Sequence, residues 1–192
     1  MTTALPPWRQ CLAASLHRNR KAPESRYVQL ATVRTDGSPA NRTVVFRGFG
    51  AASHELLVVS DTRSEKHAEL LREPRAEIAW YFAGSREQYR FRGTVTQHWA
   101  SEGDTALLDD LWQALSEPAR AQYFGPAPGV PLPELPERQG APIAEFDRRP
   151  PWFLVLVLSV DGGERLDLKA EPQSRERYSL TADGWHVTAV GA

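Results

Sequence analysis

Asp-Gly dipeptides punctuate this chain at Asp36-Gly37, Asp161-Gly162 and Asp183-Gly184, each between two runs rich in Val, Thr or aromatic residues. Such dipeptides supply the positive φ that tight hairpin turns need, so the flanking runs are expected to pair as antiparallel strands. Parallel neighbours would need crossovers of a dozen residues or more, and these links are too short. The strand-like runs are residues 26–34, 39–49, 55–60, 76–82, 88–97, 152–160, 164–168, 175–180 and 184–190. Within 88–97, Tyr89, Phe91, Gly93 and Val95 alternate with Arg90, Arg92, Thr94 and Thr96, which predicts one apolar and one polar face.

Three segments carry helical spacing instead. Residues 8–20 place Trp8, Leu12 and Leu16 on one face and gather basic residues toward the end, where the helix dipole favours them. Thr62 and Glu65 have the spacing of a capping box and Pro74 is a stop, which predicts a helix over 62–72. Leu107, Leu108, Leu111, Trp112 and Leu115 form an apolar stripe over 101–115, with Pro118 limiting its extension. Residues 125–142 contain six prolines and read as a stiff surface loop. The 50 residues beyond it are too few to fold alone, so 1–192 is read as a single domain. Strands before and after a helix, joined by hairpins, predict a mainly β fold with flanking helices, a small barrel.

Composition removes several functions. With 23 Lys and Arg against 24 Asp and Glu, the formal charge of -1 gives no broad surface for a polyanion, so no nucleic-acid partner is expected. No run approaches the roughly 18 apolar residues of a membrane helix, and no membrane partner is expected. Cys11 stands alone and the first ten residues lack the charged-then-apolar pattern of a secretory signal, so the expected location is cytoplasmic. The five histidines, His17, His54, His67, His98 and His186, lack zinc-site spacing, and no metal is expected. There is no GxxxxGK[ST] and no GxGxxG, so any phosphate must be held by other means.

Three short segments offer those means. In RTVVFR, Arg42 and Arg47 flank an apolar strand, and their five-residue spacing points them to opposite faces. In SDTRSEK, Ser60, Thr62, Arg63, Ser64 and Lys66 gather where a helix begins, and a helix N-terminus favours anions. In REQYRFRG, Gln88 presents an amide suited to a heterocycle edge, beside Arg90 and Arg92. Taken singly, each is as readily a solvated strand face or an ordinary capped helix.

In this order and combination the three segments resemble the FMN-binding half of the pyridoxamine 5'-phosphate oxidase family, with its R-x-V-L-L-K, T-N-x-x-S-R-K and R-Q-V-R-x-x-G motifs. The resemblance covers residues 26–97 well and 152–190 loosely, and is strongest toward the divergent oxidase-related branch. It implies an FMN-binding split β-barrel of Greek-key type and a homodimer with one FMN per subunit in a groove at the interface. By position, Arg42 matches the arginine that reaches the FMN phosphate, and Thr43, Val44 and Val45 run beside the flavin ring. Val59 and Ser60 match a Tyr-Thr pair next to the ring, and Ser64 and Lys66 match the Ser and Lys of the phosphate site. Gln88 matches the glutamine that hydrogen-bonds the flavin, and Arg177 in RERYSL matches the flavin-contacting arginine of R-L-H-D-R-F.

The departures concern charge and substrate. Arg47 stands where the family has Lys, and Glu65 replaces an Arg, shifting phosphate affinity onto Arg42, Lys66 and Arg63. Arg175 replaces a histidine, Gln173 falls at an arginine position, and Leu166 or Asp167 falls near a flavin-side tryptophan. The Tyr, Arg and Ser that grip substrate phosphate have no clear counterpart in LSEPARAQYFGPAPG. The resemblance therefore implies an FMN-dependent oxidoreductase with a small-molecule substrate, a kept cofactor site and an altered substrate site beside Arg47 and Arg175. No side-chain nucleophile is singled out as catalytic. The alternative is a barrel that holds flavin or haem without turnover.

Overall fold

The structure is a computed structural model and describes residues 5–100, 105–131 and 147–192. Its strands are β1 (Tyr27–Val33), β2 (Pro39–Phe49), β3 (Glu55–Asp61), β4 (Arg75–Phe82), β5 (Glu87–His98), β6 (Phe153–Asp167), β7 (Ser174–Thr181) and β8 (Gly184–Val190). Its α-helices are α1 (Pro7–Arg18), α2 (Glu65–Arg72), α3 (Thr105–Gln113) and α4 (Glu117–Ala121). Strand order is β3-β2-β1-β4-β5-β6-β7-β8, and β3 also pairs with β6. That extra pairing closes the strands from β3 to β6 into an antiparallel barrel, which removes its free edges. The β7–β8 hairpin extends outward from β6.

The Asp36-Gly37 hairpin forms as expected. Gly37 sits at φ 88°, and the Asp36 carboxylate accepts hydrogen bonds from Ser38 N at 2.9 Å and Ser38 Oγ at 2.7 Å. The expected turn at Asp161-Gly162-Gly163 does not form. The two runs expected over 152–160 and 164–168 form one continuous strand, β6 (Phe153–Asp167), whose first half closes the barrel against β3 and whose second half carries β7. Its register with β5 shifts between Arg92 and Gly93, leaving Asp161 as the extra residue of a bulge. The glycines there permit close approach: a Cβ on Gly163 would lie 2.5 Å from the Arg90 carbonyl oxygen.

Inside the barrel, Trp8 and Leu12 of α1 are fully buried, and Trp8 packs against Phe91 with centroids 4.6 Å apart. A polar tie holds the same helix. Glu87, 2% exposed, accepts hydrogen bonds from Ser15 Oγ at 2.8 Å, Arg18 Nη2 at 2.5 Å and Arg165 Nη2 at 2.9 Å. Burial alone would raise the Glu87 carboxyl, but hydrogen bonds from Arg18, Ser85, Ser15 and Arg165 hold it down at about 2.

A second apolar cluster lies on the other face of β3 and β6. Leu57, Phe153, Val155 and Val157 are covered by Leu108, Trp112 and Leu115, from α3 and the turn after it. Strands apolar on both faces do not alternate, which is why 152–158 reads as a continuous apolar run. The N-terminal helix runs from Pro7 to Arg18 rather than over 8–20. The capping box at Thr62 is not used either: Ser64 is the N-cap, its Oγ donates to the Asp61 carbonyl at 2.5 Å, and α2 begins at Glu65. Pro118 sits in the first turn of α4, which begins at Glu117, instead of merely limiting α3. Residues 101–104 of the expected third helix and 132–142 of the expected proline-rich loop lie outside the described residues, as do 143–146. Among the described residues no helix is long and apolar enough to cross a membrane.

Candidate functional site

A groove of about 290 Å³ opens beside β2 and β3. Arg42, Thr43, Val44, Val45 and Arg47 of β2 line it, with Val59, Ser60 and Asp61 of β3 and Ser64 and Lys66 at the start of α2. The remaining wall is Ala119, Gln122, Tyr123 and Pro128. This wall is carried by the outer apolar cluster, against which Ala119, Tyr123 and Phe124 pack. Arg42 has the inward parity of buried Val44 and Phe46, whereas Arg47 sits in a bulge where the β2–β3 register shifts between Phe46 and Gly48. Both arginines nonetheless line the same groove, so opposite strand parity does not separate them.

The groove's cations differ in what they are bound to. Arg42 Nη2 donates to Glu69 Oε2 at 2.8 Å, and its other terminal nitrogen donates to Thr32 Oγ1. Thr32 Oγ1 donates in turn to Glu69 at 2.5 Å, so a buried carboxylate fixes the Arg42 guanidinium from behind. Lys66 and Arg47 form no ion pair among the described residues. Burial, followed by the charge of Arg42, pushes the Lys66 ammonium below its ordinary 10.5, while Asp61, Glu69 and Glu65 pull it back up. Burial likewise lowers Arg47, with Tyr123 opposing it, and Arg47 Nε is buried without a hydrogen-bond partner. A buried N–H left in this state costs about 1–3 kcal/mol, which an acceptor on a ligand would recover.

Nine of the expected site residues thus come together: Arg42, Thr43, Val44, Val45, Arg47, Val59, Ser60, Ser64 and Lys66. Gln88, Arg175 and Arg177 do not join them. Gln88 pairs across to Leu166 and Leu166 to Arg175, while Arg90 pairs to Glu164 and Glu164 to Arg177, so these residues occupy one face of β5, β6 and β7. Arg175 and Arg177 both donate to the Glu164 carboxylate, Arg177 Nε at 3.1 Å. Arg63 is not offered to a phosphate; its guanidinium is spent on Asp61 and on the carbonyls of Tyr123 and Gly125. Trp80 is core, and Trp185 meets Trp8 edge-on with centroids 6.1 Å apart.

The wall residues Ala119, Gln122, Tyr123 and Pro128, together with Asp61, are the part that sequence reasoning missed. The stripe from Leu107 to Leu115 signals a packed helix, but nothing in EPARAQYF says that the chain folds back over β2. The only sign was a tyrosine and a phenylalanine before Gly-Pro, a pairing as common in cores as in sites. Burial raises the Tyr123 phenol, which the Arg47 charge partly offsets. Among the described residues no cluster of His, Cys, Asp or Glu is placed to hold a metal ion.

Valines along one side, two cations without ion pairs, and an orphaned buried donor suit a flat apolar ring bearing an anionic arm. Comparison with known proteins names such a ligand. Residues 5–98 match the family described as pyridoxamine 5'-phosphate oxidase, FMN-binding domain. The chain is 36% identical over 187 residues to pyridoxine/pyridoxamine 5'-phosphate oxidase 2 of Arabidopsis thaliana, covering 96% of this chain and 93% of that protein. A crystal structure of a pyridoxamine 5'-phosphate oxidase-related, FMN-binding protein from Nostoc punctiforme superposes with a TM-score of 0.90 at 37% identity, covering 99% of this chain and 100% of that one. PhzG of Burkholderia lata, crystallised with tetrahydrophenazine-1-carboxylic acid, shares the fold at a TM-score of 0.78 and 21% identity, covering 98% of each chain. The chain therefore belongs to the pyridoxamine 5'-phosphate oxidase family of FMN-binding split barrels, with FMN as the family's cofactor.

Proposed function

We propose that this protein is an FMN-dependent oxidoreductase that acts on a small molecule at a substrate site altered from that of pyridoxamine 5'-phosphate oxidases. The observation that carries this reading is the groove itself, in which Lys66 and Arg47 form no ion pair among the described residues and stand beside a valine-lined surface. Lys66, Arg42 and Ser64 would hold the FMN phosphate, while Val44, Val45 and Val59 would pack along the ring. Bound FMN supplies the two-electron redox chemistry, and the protein supplies position and electrostatics. Arg47, with its unpartnered Nε, would take an acceptor atom of the substrate or of the ring edge. Arg175, at the other expected substrate position, is tied to Glu164, which supports an altered substrate site.

The same reading makes the protein a homodimer. Gln88, Arg175 and Arg177 lie on the β5–β7 face and not in the groove, so within one chain the flavin site is incomplete. A second copy would supply them. The single free cysteine suits a reducing compartment, and we place the protein in the cytoplasm. The test is anaerobic mixing of the flavin-loaded protein with pyridoxamine 5'-phosphate, then with other amines, alcohols and nicotinamide cofactors. Bleaching of the flavin band by one of them supports the oxidoreductase. Retained flavin that none of them reduces would make the protein a binder without turnover.

A further inference from the structure

Arg63 stands beside the groove but is not among the residues that line it. Its backbone N donates to Asp61 Oδ1 at 2.7 Å, its Nε to Oδ1 at 3.0 Å and to Oδ2 at 3.1 Å, and its Nη2 to Oδ2 at 2.6 Å. The same guanidinium reaches the opposite wall, with Nη2 donating to the Tyr123 carbonyl and Nη1 to the Gly125 carbonyl, both at 3.2 Å. Trp152 completes the arrangement: its ring centroid lies 4.4 Å from the guanidinium carbon, and its Nε1 donates to the Tyr123 carbonyl at 2.6 Å. Trp152 is itself held, because its carbonyl accepts from Thr62 N at 2.9 Å. One side chain thus joins the β3 end of the groove to the wall carrying Gln122, Tyr123 and Pro128.

We propose that Arg63 is a positioning residue, a clip that holds the wall formed by Ala119, Gln122, Tyr123 and Pro128 closed against the flavin groove. The proposal takes FMN as the occupant of the groove, as above. Joining a carboxylate to two backbone carbonyls needs the planar fork of arginine, which a lysine ammonium cannot reproduce. α4 buries no residue fully; Arg120 ties it to the Leu115 and Gln113 carbonyls and Ala119, Tyr123 and Phe124 rest on the outer apolar cluster, while Arg63 makes the hydrogen bonds that link this segment to β3. The apolar cluster carries the wall from outside, and the clip sets how closely its inner edge is drawn toward β3 and the groove.

A direct phosphate ligand and a positioning residue are separated by riboflavin, which has the ring of FMN and no phosphate. The cofactor-free protein is titrated with FMN and with riboflavin, and ring binding is read as quenching of flavin fluorescence. Arg63→Ala and Arg63→Lys are both expected to weaken the two ligands by the same factor, about tenfold, the change that goes with one charge-assisted hydrogen bond. Lys66→Ala is expected to weaken FMN alone. In the same variants, hydrogen exchange across residues 117–131 should quicken while exchange in β3 and α2 stays unchanged. Loss of FMN affinity with riboflavin affinity kept would overturn the proposal and make Arg63 a phosphate ligand. Wild-type behaviour of Arg63→Lys, or unchanged exchange over 117–131, would overturn it as well. If the wild-type protein binds neither flavin, the FMN reading fails, and the exchange measurement still decides whether the clip exists.

Discussion

At the scale of single residues, the site is distinguished by two cations, Lys66 and Arg47, that form no ion pair among the described residues, beside an Arg42 held by Glu69. Lys66 is held below its ordinary pKa by burial and by Arg42, and a phosphate would restore the proton's hold. The free protein then has the lower Lys66 pKa and the complex the higher one. FMN affinity is therefore complete at pH values below the free protein's Lys66 pKa and declines as the pH rises through it, on the alkaline side but beginning below 10.5. Lys66→Arg should carry full affinity to higher pH, and Lys66→Ala should flatten the profile; fluorescence titration from neutral to alkaline pH checks both. Arg47 is the complementary case. Its buried Nε lacks a partner, so Arg47→Met should stabilise the cofactor-free protein by about 1 kcal/mol while raising the substrate's KM about tenfold or more. Thermal unfolding and steady-state kinetics on the same variant check the two halves.

At the scale of elements, turn chemistry and packing chemistry share the same letters. Asp36-Gly37 and Asp161-Gly162 are identical dipeptides, yet the first turns the chain and the second lets β6 run past β5 at a bulge. No local signal separates a glycine chosen for positive φ from one chosen for the absence of a Cβ, since the second depends on a strand distant in sequence. Gly163→Ala places its Cβ against the Arg90 carbonyl and should cost about 2 kcal/mol, whereas Gly162→Ala meets only the movable Arg92 guanidinium and should cost less. Urea unfolding of the pair distinguishes them. The tie between α1 and the barrel has its own signature. Glu87 titrates at about 2 when folded against an ordinary 4.5, so its contribution is present above pH 4.5 and is lost as the pH falls from there toward 2. Glu87→Gln should lower stability near neutrality and blunt the acid-induced loss, read from urea midpoints at pH 7 and pH 3. Strand positions were legible because β1, β2, β5, β7 and β8 carry their own β-formers and turn residues. The return of the chain over the groove was not, because the segment from α4 to Gly125 is placed by the outer apolar cluster and by Arg63 bonding to the Tyr123 and Gly125 carbonyls, contacts from residues distant in sequence.

At the scale of the whole molecule, the expected cofactor residues divide into two surfaces. The half on β2, β3 and α2 was legible as a cluster because close sequence neighbours fold into one groove. Gln88 and Arg177 carry no sign in the sequence that they face elsewhere, on the β5–β7 face. If two copies share each site, a Lys66→Ala chain and an Arg177→Ala chain damage opposite halves. Mixed after denaturation and refolded together, they should regain about a quarter of the wild-type FMN sites through random pairing of a two-fold dimer. At an FMN concentration that fills intact sites but not weakened ones, each variant alone should show far less of that signal, which gel filtration with absorbance at the flavin band would resolve. Everything proposed for this protein rests on FMN occupying the groove beside Arg42, Arg47 and Lys66. The most direct measurement is the visible absorption spectrum of the purified protein, followed by denaturation and identification of whatever is released, with titration of FMN into any empty fraction. A groove that holds FMN gives flavin bands at one FMN per chain, released intact as FMN and lost in a protein carrying both Arg42→Ala and Lys66→Ala. A colourless protein that leaves added FMN fully fluorescent would contradict it.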